Sequence, residues 1–183
     1  MTKDVLIIPG FGENETEESY KKLKERILAV GDSTVRFYNP KWNHGTTKNW
    51  LADFEKTSEI KPETIIIGFS MGAYITLLLA EHHNASKIVF ASLSPYFKEN
   101  ISFVPDSAKK FFGKKRIEDF LRYSVPENIK TQNPVFLFGD LDWDIAIDQA
   151  KRLAKKYNGL FEFIGNTPHK LTEEYINKIV DQI

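Results

Sequence analysis

Gly68-Phe69-Ser70-Met71-Gly72 sets a serine between glycines two residues before and two residues after it, in a chain of 183 residues. The apolar run Thr64 to Ile67 leads into this segment, and the strongly apolar Ala73 to Ala80 leaves it. A strand that turns at once into a helix lifts the serine hydroxyl onto a sharp corner, where it can act as a nucleophile. Such a corner strains the serine backbone and brings neighbouring chain close on both sides, so glycines belong there. The helix start then aims free N–H groups and the positive end of its dipole at any oxyanion that forms.

A serine hydroxyl is a weak nucleophile alone and needs a base held by an acid. His169, in Gly165-Asn166-Thr167-Pro168-His169, follows the last strand-like run and precedes the last helical one. That puts it at the carboxyl edge of a sheet, the edge that Ser70 occupies. The other histidines fit less well. His82 and His83 close the helix behind Ser70 and face away from it, and His44 sits in a polar loop where it could line a pocket. The acid is expected after the preceding strand, in Gly139-Asp140-Leu141-Asp142-Trp143-Asp144-Ile145. Asp142 is favoured, three residues past the glycine and free to bend back toward His169. Asp140 lies closer to the strand, and Asp144 reads as the N-cap of the next helix; both remain alternatives. Pro9-Gly10-Phe11-Gly12 completes the set, with the Phe11 and Met71 N–H groups expected as oxyanion donors.

Six short runs rich in β-branched and aromatic residues can carry these groups: Asp4 to Pro9, Thr34 to Tyr38, Thr64 to Phe69, Lys87 to Leu93, Val135 to Gly139 and Leu160 to Ile164. Helical periodicity occupies 16–29, 47–57, 71–83, 144–157 and 171–182, with apolar residues at three- and four-residue spacing. The alternation predicts right-handed crossovers and a three-layer α/β/α domain spanning 1–183 around a mostly parallel sheet. Residues 98–133 are longer than a plain crossover and are expected to form a short lid-like insertion. Its Ile101, Phe103, Phe111, Phe112 and Phe120 either cover the site or pin the segment to the core, and Lys114-Lys115-Arg116 adds a basic cluster.

Composition narrows the partners. Lysine plus arginine equals aspartate plus glutamate at 25 each, without the basic footprint of a nucleic-acid binder. No cysteine is present, which excludes disulfides, thiolate metal sites and a cysteine nucleophile. No stretch approaches the roughly 18 apolar residues of a membrane span, and Val5 to Ile8 is too short for a signal core, so a cytoplasmic location is expected. Gly10-Phe11-Gly12 half-matches a dinucleotide fingerprint, but Glu15 stands at the third glycine position. Asp140-Leu141-Asp142 resembles the start of a magnesium-dependent phosphatase motif, which normally sits near the N-terminus. A calcium loop beginning at Asp140 fails because its required glycine is Ile145. Neither a cofactor nor a metal is expected.

Taken in order, PGFG at 9–12, GFSMG at 68–72, GDLD at 139–142 and His169 resemble the α/β-hydrolase superfamily over essentially the whole chain. The chain is similar to compact bacterial single-domain esterases and to small serine hydrolases of retinoblastoma-binding-protein type. The resemblance implies a minimal fold of six strands in the order 2-1-3-4-5-6. It also implies a serine hydrolase that cleaves a small ester through an acyl-enzyme, with Ser70, Asp142 and His169 as its triad. Thioesterase or amidase chemistry on the same fold, and a non-catalytic binding protein, are the alternatives.

Overall fold

The computed structural model describes residues 2–183. The strands are β1 (Lys3–Ile8), β2 (Ser33–Phe37), β3 (Thr64–Phe69), β4 (Lys87–Ala91), β5 (Val135–Gly139) and β6 (Leu160–Ile164). The helices are α1 (Glu18–Ala29), α2 (Thr47–Thr57), α3 (Met71–Ala80), α4 (Asp106–Phe112), α5 (Lys114–Phe120), α6 (Asp144–Lys156) and α7 (Glu173–Val180). All five strand pairings are parallel, and the sheet order is β2-β1-β3-β4-β5-β6, as the resemblance implies.

Parallel strands need helical crossovers, and these cover both faces of the sheet, so the central strands must be apolar throughout. In β3 every residue is buried. Side chains alternate across the sheet and feed two separate cores. Val5, Ile7, Ile65 and Ile67 pack with Tyr20, Leu23 and Ile27 of α1 and with Tyr175, Ile176 and Ile179 of α7. Leu6, Ile8 and Ile66 face the opposite layer, with Trp50 and Phe54 of α2, the apolar residues of α3, and Ala150 and Leu153 of α6.

The largest departure from expectation lies in the connection between β4 and β5. Residues 98–133 contain α4 and α5, which no long apolar periodicity announces. Each is seven residues long, and the left-handed Gly113 (φ 75°) ends one and opens the other. Ile101, Phe112 and Phe120 pin the segment to the core, whereas Phe103 and Phe111 are exposed. Strand β4 stops at Ala91 rather than Leu93 because Ser92 turns to positive φ. Helix α3 ends at Ala80, leaving His82 and His83 in the turn beyond it. Asp144 is the first residue of α6 and not its N-cap; Trp143 holds that position, its N–H bonded to the Asp142 carboxylate. Among the described residues, no helix is long and apolar enough to cross a membrane.

Candidate active site

Ser70 is the single residue between β3 and α3, with φ 54° and ψ −117°. A non-glycine residue held there costs about 1–3 kcal/mol and persists only when its surroundings over-determine it. Here Ser70 N–H donates to Ala91 O at 2.9 Å, and Ser70 O accepts from Tyr74 N–H at 3.1 Å. The flanking glycines are sterically required. A Cβ on Gly68 would lie 2.7 Å from Ala73 N, and one on Gly72 would strike Ile8 O and lie 2.5 Å from Pro9 O. Helix α3 therefore starts pressed against the end of β1, the strand that leads into the Pro9-Gly10-Phe11-Gly12 loop.

The loops after β5 and β6 are stitched together. Asp140 N–H donates to Ile164 O at 3.1 Å, Leu141 N–H to Thr167 O at 3.2 Å, and Thr167 N–H to the Asp140 carboxylate at 3.1 Å. Asp140 thus braces the histidine loop and does not contact the imidazole. These bonds bring Asp142 and His169 together. His169 Nδ1 lies 2.9 and 3.1 Å from the two Asp142 oxygens, and His169 Nε2 lies 2.8 Å from Ser70 Oγ.

A carboxylate can only accept, so Nδ1 carries the proton and Nε2 accepts from the Ser70 hydroxyl. Burial pushes the Asp142 carboxyl up. The hydrogen bond and charge of His169, the Ser92 hydroxyl and the Trp143 N–H outweigh that push and hold it below its ordinary value. Asp142 therefore stays ionised at neutral pH, as a partner of an imidazolium must.

Residues 5–174 match the sequence model of the serine hydrolase family. The chain belongs to that family. No curated protein matches it by sequence. In three dimensions this serine hydrolase is similar to alpha/beta hydrolase domain-containing protein 10 from mouse, with 12% identity and a TM-score of 0.75 over 100% of this chain and 88% of the other. It is similar to Est1E from Butyrivibrio proteoclasticus at 16% identity, with a TM-score of 0.68 over 99% and 85% of the two chains. It is also similar to the thioesterase domain from the curacin biosynthetic pathway at 12% identity, with a TM-score of 0.67 over 99% and 90%. At these identities the likeness establishes the α/β-hydrolase fold and leaves the substrate to be read from the site.

In this hydrolase Ser70 and His169 open into a cavity of about 380 Å³. Phe11, Met71, Ser94, Tyr96, Phe111 and Trp143 are among its walls, so both residues expected to donate to an oxyanion border the serine's own cavity. As the first residue of α3, Met71 has an N–H with no intrahelical acceptor. Phe11 lies in a turn closed by Glu13 N–H to Gly10 O at 3.0 Å. Trp143 stacks on the His169 ring with an interplanar angle of 16°, and Phe69 packs against the ring at 5.6 Å between centroids.

The remaining histidines are elsewhere. His83 pairs with Glu55 at 2.7 Å, His82 is exposed, and His44 lines a separate crevice with Lys41, Trp50 and Asp53.

Sequence reasoning passed over three residues here. Ser94 Oγ lies 3.3 Å from Ser70 Oγ, Ser92 bonds Asp142, and Glu13 anchors the first loop by accepting from Gly10 N–H and from the Tyr20 hydroxyl. Burial raises the Glu13 carboxyl above its ordinary value despite those two donors. For the serines the available signal was Ala91-Ser92-Leu93-Ser94, which leaves a central strand at the same carboxyl edge as Ser70.

Proposed function

We propose that this serine hydrolase cleaves a small carboxylic ester with an apolar acyl group through an acyl-enzyme on Ser70. The observation that carries the reading is the unbroken hydrogen-bonded line from Asp142 through His169 to Ser70 Oγ, opening into an apolar-walled cavity. As Oγ attacks the acyl carbon, His169 Nε2 takes its proton, and Asp142 steadies the resulting imidazolium. The oxyanion accepts from the Phe11 and Met71 amides. His169 then protonates the leaving alcohol as the carbon–oxygen ester bond breaks. Water, deprotonated by the same imidazole, attacks the acyl-enzyme and frees the acid and Ser70.

The acyl group rests among Phe11, Tyr96, Phe111 and Trp143. Helices α4 and α5, within residues 98–133, serve as its lid-like cover. Several structural neighbours are esterases, and Est1E has been solved with ferulic acid bound, which favours an acyl site able to take an aromatic ring. The curacin thioesterase domain supports thioester cleavage as the second reading.

Fluorophosphonate labelling of wild type and Ser70→Ala, read by intact mass, tests the proposal. One adduct on wild type and none on the variant is the expected result. A folded wild type that takes no adduct would overturn catalysis in favour of a binding role, and matched ester and thioester substrates separate the two hydrolytic readings.

A further inference from the structure

Ser92, the first residue beyond β4, shares the positive φ of Ser70. Among the described residues, five non-glycine positions have positive φ. Three are asparagines, which tolerate that region, and the other two are Ser70 (φ 54°) and Ser92 (φ 48°). Ser92 is fully buried, and its hydroxyl has two partners: Asp142 Oδ2 at 2.6 Å and the Tyr175 hydroxyl at 2.6 Å. Tyr175, also fully buried on α7, accepts from Gly139 N–H at 2.9 Å and lies 3.1 Å from Leu137 O.

Counting protons fixes the direction of this chain. An ionised carboxylate only accepts, so the single Ser92 proton goes to Asp142. Two hydroxyl oxygens 2.6 Å apart need a proton between them, and only Tyr175 has one left to give; its other acceptor, Leu137 O, is farther at 3.1 Å and already accepts from Ser92 N–H at 2.9 Å. Tyr175 therefore donates to Ser92, and Ser92 donates to Asp142. On the near side, Asp142 Oδ1 accepts from Trp143 N–H at 2.7 Å and from His169 Nδ1 at 2.9 Å. Donors thus hold both carboxylate oxygens, and the carboxylate cannot swing away from the imidazole without breaking a buried bond.

We infer that Ser92 and Tyr175 are positioning residues for the reaction proposed above, a buried Tyr–Ser relay that locks the Asp142 carboxylate to His169. The left-handed backbone of Ser92 turns its hydroxyl back under the acid. The relay also ties the catalytic acid to α7, the helix that follows the His169 loop, so acid and base share one support.

A role confined to the fold predicts a different outcome from a positioning role when Ser92 is replaced by glycine. Ser92→Gly relieves the backbone strain and deletes the hydroxyl. On a chromogenic ester, the expected result is a thermal midpoint close to wild type with kcat reduced about 10- to 100-fold and KM little changed. Without its Ser92 donor, Asp142 becomes a stronger acceptor and favours the imidazolium. The acid limb of the kcat/KM profile should therefore move up by about 0.5 pH unit, roughly threefold in proton affinity.

Tyr175→Phe should shift the same limb in the same direction by less. Glu13 from the loop after β1, Asp140 from the loop after β5, Lys170 next to His169 in the chain, and Glu173 and Glu174 at the start of α7 are other charged groups around the His169 loop, and all are unchanged in these variants. Wild-type kcat and an unmoved limb in folded Ser92→Gly, with Ser70→Ala inactive, would overturn the relay alone. Full activity in Ser70→Ala would instead overturn the underlying proposal.

Discussion

Gly72 offers a test in which one methyl group should disable the site from behind. In Gly72→Ala the new Cβ would strike Ile8 O and lie 2.5 Å from Pro9 O and 2.7 Å from Ile8 C, where real Cβ atoms essentially never come under 3.0 Å. These are backbone atoms at the end of a central strand, so no side chain can swing aside. Helix α3 and the end of β1 must part by about 1 Å, and overpacking of this kind costs about 1–3 kcal/mol. For a domain of this size that lowers the thermal midpoint by about 2–12 °C. The separation also moves the Met71 amide away from the loop that carries the Phe11 amide. A 1 Å misplacement can cost about 10²-fold in rate, and loss of an oxyanion donor about 10²–10³-fold. Ester turnover below the variant's thermal midpoint, alongside differential scanning calorimetry, measures both effects. Gly31→Ala is the control, since nothing lies within 4 Å of its Cβ position, and it should change stability by less than about 0.5 kcal/mol. Wild-type turnover and midpoint in Gly72→Ala would refute the claim that close approach of α3 to β1 assembles the site.

Asp142→Asn keeps the shape of the acid but offers His169 a neutral partner, so kcat should fall about 10⁴-fold with the circular dichroism spectrum unchanged. The Arg36 guanidinium, bonded to Asp4 at 2.9 and 3.0 Å, holds that carboxyl below its ordinary value. A depressed carboxyl stabilises the fold above the unfolded-state pKa, and the contribution fades as pH falls through the folded one. Asp4→Asn should therefore lower the unfolding free energy from urea titration at neutral pH by no more than about 1 kcal/mol for this half-buried pair, and leave it unchanged in strong acid. Phe111 borders the cavity yet is 68% exposed, so Phe111→Ala should spare stability. KM for aromatic acyl esters should rise up to about tenfold while acetyl esters are unaffected, as steady-state kinetics on a matched pair would show.

The parts of this site that sequence reveals are those with short-range steric causes. Ser70 announces itself because the glycines at 68 and 72 are demanded by backbone atoms nearby, and His169 and Asp142 follow from their places after successive strands. Sheet order came only through family resemblance, because no local pattern dictates which parallel strand lies beside which. Helices α4 and α5 escaped notice because seven residues give too few turns for periodicity. They are held by packing of Phe112 and Phe120 against one another and against Tyr96, from the start of the connection. Asp144 reads as a cap by residue type alone, but α6 begins at Asp144 itself and the Asp142 carboxylate holds the Trp143 N–H. Ser92 and Tyr175 meet across 83 residues of sequence, a distance at which residue type alone carries no signal.

The loops at the carboxyl edge are irregular, yet the atoms of the proposed triad lie at hydrogen-bond distances, so something outside the loops must fix them. On one side of the sheet, Tyr20 of α1 donates to Glu13 and accepts from Gly10 N–H, anchoring the loop that carries Phe11. On that same side, Tyr175 of α7 accepts from Gly139 N–H and reaches Asp142 through Ser92. The two helices are joined to each other by Lys22–Glu173 and by Arg26–Asn177 at their surface. Helices α1 and α7 thus anchor the loops that carry the proposed reacting groups, while the opposite layer, through α3, α4 and the Tyr96 segment, supplies much of the cavity wall. Substitutions such as Phe111→Ala should therefore change what the cavity admits without moving the proposed triad, whereas Tyr20 and Tyr175, which do not line the cavity, bear on that triad's geometry.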